Sequence, residues 1–138
     1  MILTLPTEFS ETDRIYPRIL IVDDDMDACV FYKTCLEDGG FQVVIYNDPL
    51  KALSSFKPRY YDLIMIDIRM PKMNGFELYM RIRNIDQQTK MCFITAFEEY
   101  YTYLKEQFPK LDAECFIKKP VKADELIARI MSELTSHG

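Results

Sequence analysis

Three apolar runs in this chain of 138 residues each stop at an ionisable side chain, and that pattern constrains the fold and the chemistry together. Ile19–Val22 runs into Asp23-Asp24-Asp25, Leu63–Ile66 into Asp67, and Cys115–Ile117 into Lys118-Lys119-Pro120. Short apolar runs bounded by polar residues read as strands of a parallel sheet covered on both faces. In an open parallel sheet all strand C-termini lie on one edge, where ligands bind. Two or three carboxylates and one ammonium therefore converge at a single edge. Such an edge suits a divalent metal and a phosphoryl group.

The rest of the chain supports an alternating pattern. Residues 1–17 are polar, with Pro6 and Pro17 as breakers, and read as a loosely ordered extension ahead of a domain over 18–136. Strands are expected over Arg18–Val22, Phe41–Tyr46, Asp62–Ile66, Met91–Thr95 and Glu114–Lys118. The first helix spans Met26–Glu37, with Asp24 or Asp25 as its cap and Gly39-Gly40 as its stop. Asn47-Asp48-Pro49 starts a second helix that puts Leu50, Leu53 and Phe56 on one face. A third runs from Phe76 to about Asn84, with Leu78, Ile82 and Ile85 near helical spacing. A fourth, from Glu98, carries Tyr100, Leu104 and Phe108. The last, from about Lys122, carries Leu126, Ile127, Ile130 and Leu134. Five β/α units predict a doubly wound five-stranded α/β sheet with five flanking helices. With strand order 2-1-3-4-5, the winding reverses between strands one and three, and Asp23, Asp24 and Asp67 flank the crevice there.

Composition narrows the function. A formal net charge of −5 without a basic stripe argues against direct nucleic-acid binding. No apolar run approaches a membrane span, and Met1–Pro6 lacks a basic n-region, so a cytoplasmic location is expected. Cys29, Cys35, Cys92 and Cys115 lie in apolar or helical segments without a C-x-x-C pairing, so reduced thiols are expected rather than a disulfide or a zinc site.

Asp67 closes an otherwise apolar strand opposite a second acidic pair. Crowded carboxylates raise one another's pKa, and a hard cation such as Mg²⁺ relieves the repulsion. Thr95, followed by the small Ala96, offers a hydroxyl at the end of strand four. Lys119 precedes a proline, which holds it extended, and Lys118 then faces the other side of the sheet.

With these residues assembled, the chain resembles the receiver domain of two-component response regulators, chemotaxis-regulator-like in type. The resemblance rests on Ile21-Val22-Asp23-Asp24-Asp25, Asp67 with Met70-Pro71 and Gly75, Thr95-Ala96 and Lys119-Pro120, at fitting intervals from Arg18 to about Leu134. It implies a flavodoxin-like fold and phosphorylation of Asp67 by a sensor histidine kinase or histidine phosphotransfer protein. It further implies Mg²⁺ held by Asp24, Asp67 and the backbone carbonyl of Arg69, with Asp23 supporting the metal's water shell. Thr95 and Lys119 are implied to hold phosphoryl oxygens, and the Lys119–Pro120 peptide to be cis. The output surface is implied to be helix four, strand five and helix five, contacting an effector or a second copy.

The same resemblance makes Thr95 and Phe116 the switch. Phe116 stands where many relatives have tyrosine, so it can act only through packing. Arg69 and Phe97 flank the expected phosphate, and slow loss of the phosphoryl group is the expectation drawn from them. Tyr100, Tyr101 and Tyr103 cannot share one helix face, so part of this cluster is expected to form a contact patch. His137, the only histidine, is not expected to accept phosphate. A haloacid-dehalogenase-like phosphatase would need a second aspartate where Arg69 stands. A dinucleotide module would need a glycine-rich turn after strand one. A receiver that has stopped taking phosphate is disfavoured because every site residue is present. No effector segment follows Leu134 in this sequence, which leaves a free-standing receiver and a fragment of a longer regulator equally open.

Overall fold

The computed structural model describes residues 16–107 and 115–135, apart from the side chains of Tyr100, Tyr101 and Leu104. Ten elements alternate: β1 (Arg18–Val22), α1 (Met26–Asp38), β2 (Gln42–Tyr46), α2 (Pro49–Ser54), β3 (Leu63–Asp67), α3 (Gly75–Ile85), β4 (Lys90–Thr95), α4 (Glu98–Gln107), β5 (Cys115–Lys118) and α5 (Ala123–Thr135). All strand pairs are parallel, in the order β2-β1-β3-β4-β5. The expected flavodoxin-like arrangement is the one observed.

Strand alternation divides the core in two. Leu20, Val22, Ile64, Ile66, Met91 and Phe93 pack with Leu78, Tyr79 and Ile82 of α3 and Ala52 of α2. Ile19, Ile21, Met65, Ile94 and Ile117 pack on the opposite face with Leu36 of α1 and Leu126 and Ile130 of α5. Each large side chain removed from water here stabilises the fold by roughly 1.5–3 kcal/mol before entropic costs. Val22, Ile66, Phe93 and Phe116 form one row across β1, β3, β4 and β5. That row fixes where the strand-end side chains emerge.

Local chemistry sets the helix starts. Asp25 caps α1, its carboxylate accepting from the amides of Asp27 (3.0 Å) and Ala28 (3.4 Å). Asp48 caps α2 ahead of Pro49, accepting from Leu50 N at 2.9 Å. Asn74 caps α3, accepting from Glu77 N at 2.8 Å.

Several expectations need correction. Leu50 is exposed, and Pro49 and Ala52 are the buried residues of the six-residue α2, with Leu53 and Phe56 packed against the core as expected. Ile85, the last residue of α3, is also exposed, while Tyr79 joins Leu78 and Ile82 on the buried face of that helix. β3 runs Leu63–Asp67, so it starts and ends one residue later than the expected Asp62–Ile66 and includes Asp67 as its last residue. The cysteines are not all free: Cys92 and Cys115 form a disulfide, while Cys29 and Cys35 are buried thiols. The register of β4 on β5 sets Cys92 directly opposite Cys115, with Cα atoms 4.4 Å apart, a proximity that sequence spacing cannot reveal. Phe108 and His137 lie outside the described residues, as does most of the expected N-terminal extension. Among the described residues no helix is long and apolar enough to cross a membrane.

Candidate functional site

The row Val22–Ile66–Phe93–Phe116 explains how the site assembles. One residue further along, Asp23 and Asp67 both lean toward the face covered by α1 and α5. Two residues further along β4 and β5, Thr95 pairs in register with Lys118, facing the other way. One step more brings Lys119 back to the side of the carboxylates. Lys118 is exposed and pairs loosely with Glu98 at 3.4 Å, a contact of little energetic weight. Lys119 reaches inward instead. Its Nζ lies 2.7 Å from Asp23 Oδ2 and 3.7 Å from Asp67 Oδ1.

Asp23 is fully buried, yet its charge is well compensated. One oxygen accepts from Lys119 and the other from Asp25 N at 3.0 Å. Asp67 is 6 % exposed and has far less support. Burial, then the charge of Asp23, push its carboxyl up to about 7; Lys119 opposes this, and the approach of Asp24 adds to it. Lys119 is partly buried, which works to lower its pKa, but the hydrogen bond to Asp23 and the charge of Asp67 outweigh this and raise it. Carboxylate oxygens of Asp23, Asp24 and Asp67 lie within 4.8 Å of one another. An all-oxygen set with surplus negative charge and one exposed member, Asp24, fits a hard divalent cation that keeps part of its water shell.

Thr95 is buried at the end of β4, and its hydroxyl accepts from Phe97 N at 3.1 Å. Its carbonyl accepts from Lys119 N at 2.9 Å, which ties the β4 and β5 ends together. The Lys119–Pro120 peptide is cis, as the resemblance implied. Across the mouth, the Arg69 guanidinium lies 5.0 Å from the Phe97 ring centroid, joining the loop after β3 to the loop after β4. Phe116 is half-buried and packs against the core on the α3 side.

Two contributors escaped the sequence reading. Tyr32 of α1 shares with Lys119, Phe31 and Pro120 a cavity of about 480 Å³ beside the carboxylates, and burial pushes its phenol up to about 12. A tyrosine on the buried stripe of α1 was the only signal available. Cys29 donates to the Asp23 carbonyl at 3.1 Å, and burial, with Asp23 adding, pushes its thiol up to about 11.

Residues 19–131 match the response regulator receiver domain family. The chain belongs to that family, as the receiver domain of a two-component response regulator. It is 34 % identical over 113 residues to the transcriptional regulatory protein DltR of Streptococcus agalactiae, covering 82 % of this chain and 50 % of that protein. It is 35 % identical over 117 residues to the response regulator ArlR of Staphylococcus saprophyticus, covering 85 % of this chain and 52 % of that protein. The chain thus spans about half the length of these relatives. Among solved structures, the non-phosphorylated HemR receiver domain from Leptospira biflexa superposes with a TM-score of 0.75 at 28 % identity, covering 88 % of this chain and 97 % of that one. A CheY-like receiver domain protein from Methanospirillum hungatei gives 0.71 at 28 % identity, covering 86 % and 94 %.

Proposed function

We propose that Asp67 accepts a phosphoryl group from the phosphohistidine of a sensor histidine kinase or histidine phosphotransfer protein, in a reaction that requires Mg²⁺. The observation that carries this reading is the position of Lys119, 3.7 Å from an Asp67 carboxylate whose other neighbours are acidic. Phosphoryl transfer passes through a loose transition state with charge spread over three equatorial oxygens, so catalysis is positioning and electrostatics. The cation would be held by Asp24, Asp67 and the Arg69 carbonyl, with Asp23 on its water shell, and when bound it neutralises charge on the acceptor and the phosphoryl oxygens. Asp67 attacks phosphorus in line, the P–N bond to histidine breaks, and an acyl phosphate forms on the carboxylate. Lys119 moves from shared pairing with Asp23 toward a phosphoryl oxygen, and the Thr95 hydroxyl donates to another. Burial and the charge of Asp23 push the Asp67 carboxyl up to about 7, and a cation held by these carboxylates would favour its ionised, nucleophilic form.

Phosphorylation adds roughly one negative charge at Asp67. Thr95 then exchanges the Phe97 amide for the phosphate, and the space it leaves is taken by the Phe116 ring. Phe116 moves by packing alone and carries the change to the surface of α4, β5 and α5, where an effector or a second copy binds. Exposed Tyr103 on α4 suits such a contact. The Arg69–Phe97 pair covers the approach of water to the acyl phosphate and makes its hydrolysis slow.

The test is transfer from a histidine kinase labelled on its phosphohistidine, with Mg²⁺ present. Label should move to this chain within seconds to minutes and fail to move to Asp67→Asn. Equal labelling of the variant would reject the assignment.

A further inference from the structure

Cys92 and Cys115 lie beneath α5, on the face of the sheet away from the α3 core, two residues along the strands from the level of Asp67. We propose that they form a reversible dithiol–disulfide site, oxidised by a peroxide and reduced by a small dithiol or a dithiol protein. This site stands independently of the phosphoacceptor reading. Register alone brings the sulfurs together, since Cys92 of β4 faces Cys115 of β5. Two further groups give the pair chemistry beyond a structural staple. Arg129 Nη2 of α5 donates to Cys115 Sγ at 3.4 Å and to Phe116 O at 3.1 Å, placing a cation where a Cys115 thiolate would form. A Glu133 carboxylate oxygen, one helical turn on, lies within 4.8 Å of both sulfurs, where it can take a thiol proton.

The oxidation balances as follows. Glu133 takes the Cys115 proton, and the thiolate attacks one oxygen of hydrogen peroxide, breaking the O–O bond. Cys115 becomes a sulfenic acid, and the departing hydroxide recovers the proton from Glu133 as water. Cys92 then attacks the Cys115 sulfur, the S–O bond breaks, and its own proton leaves with that oxygen as a second water. Two thiols are oxidised by two electrons and one peroxide is reduced. Exchange with an external dithiol reverses the result, and Arg129 stabilises Cys115 as the leaving thiolate. Both sulfurs are buried, so reagents reach them when the edge strand β5 parts locally from α5, an opening cheaper than global unfolding.

The bond encloses Thr95, Phe97 and all of α4, so its redox state governs how firmly the α4–β5–α5 face is tied to the sheet. The experiment uses the whole chain. The protein is reduced with a dithiol, exposed natively to hydrogen peroxide, then denatured and alkylated. Four labelled cysteines should fall to two, peptide mapping should join Cys92 to Cys115, and a dithiol should restore four. Arg129→Gln should raise the pH midpoint of the oxidation rate by about one unit while leaving the native fold intact, a shift that a purely structural role would not produce. Four labels after oxidation, a bond that native dithiol cannot open within hours, or an unchanged pH midpoint in Arg129→Gln would each overturn the proposal.

Discussion

Gly75 packs directly on the backbone of Asp67: a Cβ at this position would overlap the Asp67 carbonyl oxygen and lie 2.8 Å from its carbonyl carbon. The Gly75 amide also donates to Ile68 O at 2.7 Å, folding the loop after β3 back onto the end of that strand. Gly75→Ala should therefore displace Asp67 or the first turn of α3. The expected cost is about 1–3 kcal/mol in denaturant unfolding, with a slower phosphorylation rate. Unchanged stability and rate would show that the loop relaxes freely.

Lys119 lies between two carboxylates, hydrogen-bonded to the fully buried Asp23 and within 3.7 Å of Asp67. Lys119→Met should slow phosphorylation by ~10²–10³ through loss of a charge-stabilising contact. It should also destabilise the fold, because Asp23 is left buried with its charge under-compensated. Lys119→Arg keeps the charge but not the compact ammonium geometry, and should fall between. Stopped-flow transfer rates and urea midpoints measure the two effects separately.

The Asp67 carboxyl, at about 7 in the native protein against roughly 3.9 in an unfolded chain, gives the metal-free domain a distinctive pH dependence. Between those values the native state binds more protons than the unfolded one, so stability falls as pH rises through the window and levels off above about 7. The carboxyls of Asp48 and Asp86 are held low: the Leu50 amide and Lys72 stabilise Asp48, and Thr89 and backbone amides outweigh the burial of Asp86. They work in the opposite sense, losing stability as pH drops into their acidic native range. The difference between wild type and Asp67→Asn isolates the central carboxylate: the variant should lack the slope and be the more stable at pH 8. Mg²⁺ should flatten the wild-type slope, adding about 2.7 kcal/mol at a hundredfold excess over Kd.

How far the sequence carried is clear from these residues. Asp23, Asp67 and Lys119 were legible because an ionisable group ending an apolar run is rare and topology gathers such ends on one edge. Alternation gave the doubly wound class, while the order 2-1-3-4-5 came with the family resemblance and is the one observed. Leu50 and Ile85 misled because both sit at helix ends, Leu50 in the first turn of α2 and Ile85 as the last residue of α3, where a residue at helical spacing need not meet the sheet. The Cys92–Cys115 pairing was invisible for a different reason: register between strands 23 residues apart is a product of the whole sheet. Gly75 was legible as a motif residue, but its contact with the Asp67 backbone was not.

Reducing the Cys92–Cys115 bond should cost about 3 kcal/mol of stability in the loop-closure account. Amide exchange in β5 and α5 should accelerate most, since these elements hold the edge. Uniform acceleration across all strands would contradict a local effect.

The Arg69–Phe97 contact spans the mouth at 5.0 Å. Arg69→Ala and Phe97→Ala should each shorten the acyl-phosphate lifetime several-fold, and the double variant should add little, because the two residues act as one cover. A wild-type lifetime of only seconds with Mg²⁺ and no phosphatase would contradict the proposed shielding.

The most direct measurement is the intact mass of the protein after exposure to acetyl phosphate, with Mg²⁺ or with a chelator. The expected result is one added phosphoryl group, present only with Mg²⁺, mapped to Asp67 and absent in Asp67→Asn. An unmodified mass under all conditions, or a phosphoryl group on another residue, would contradict the account.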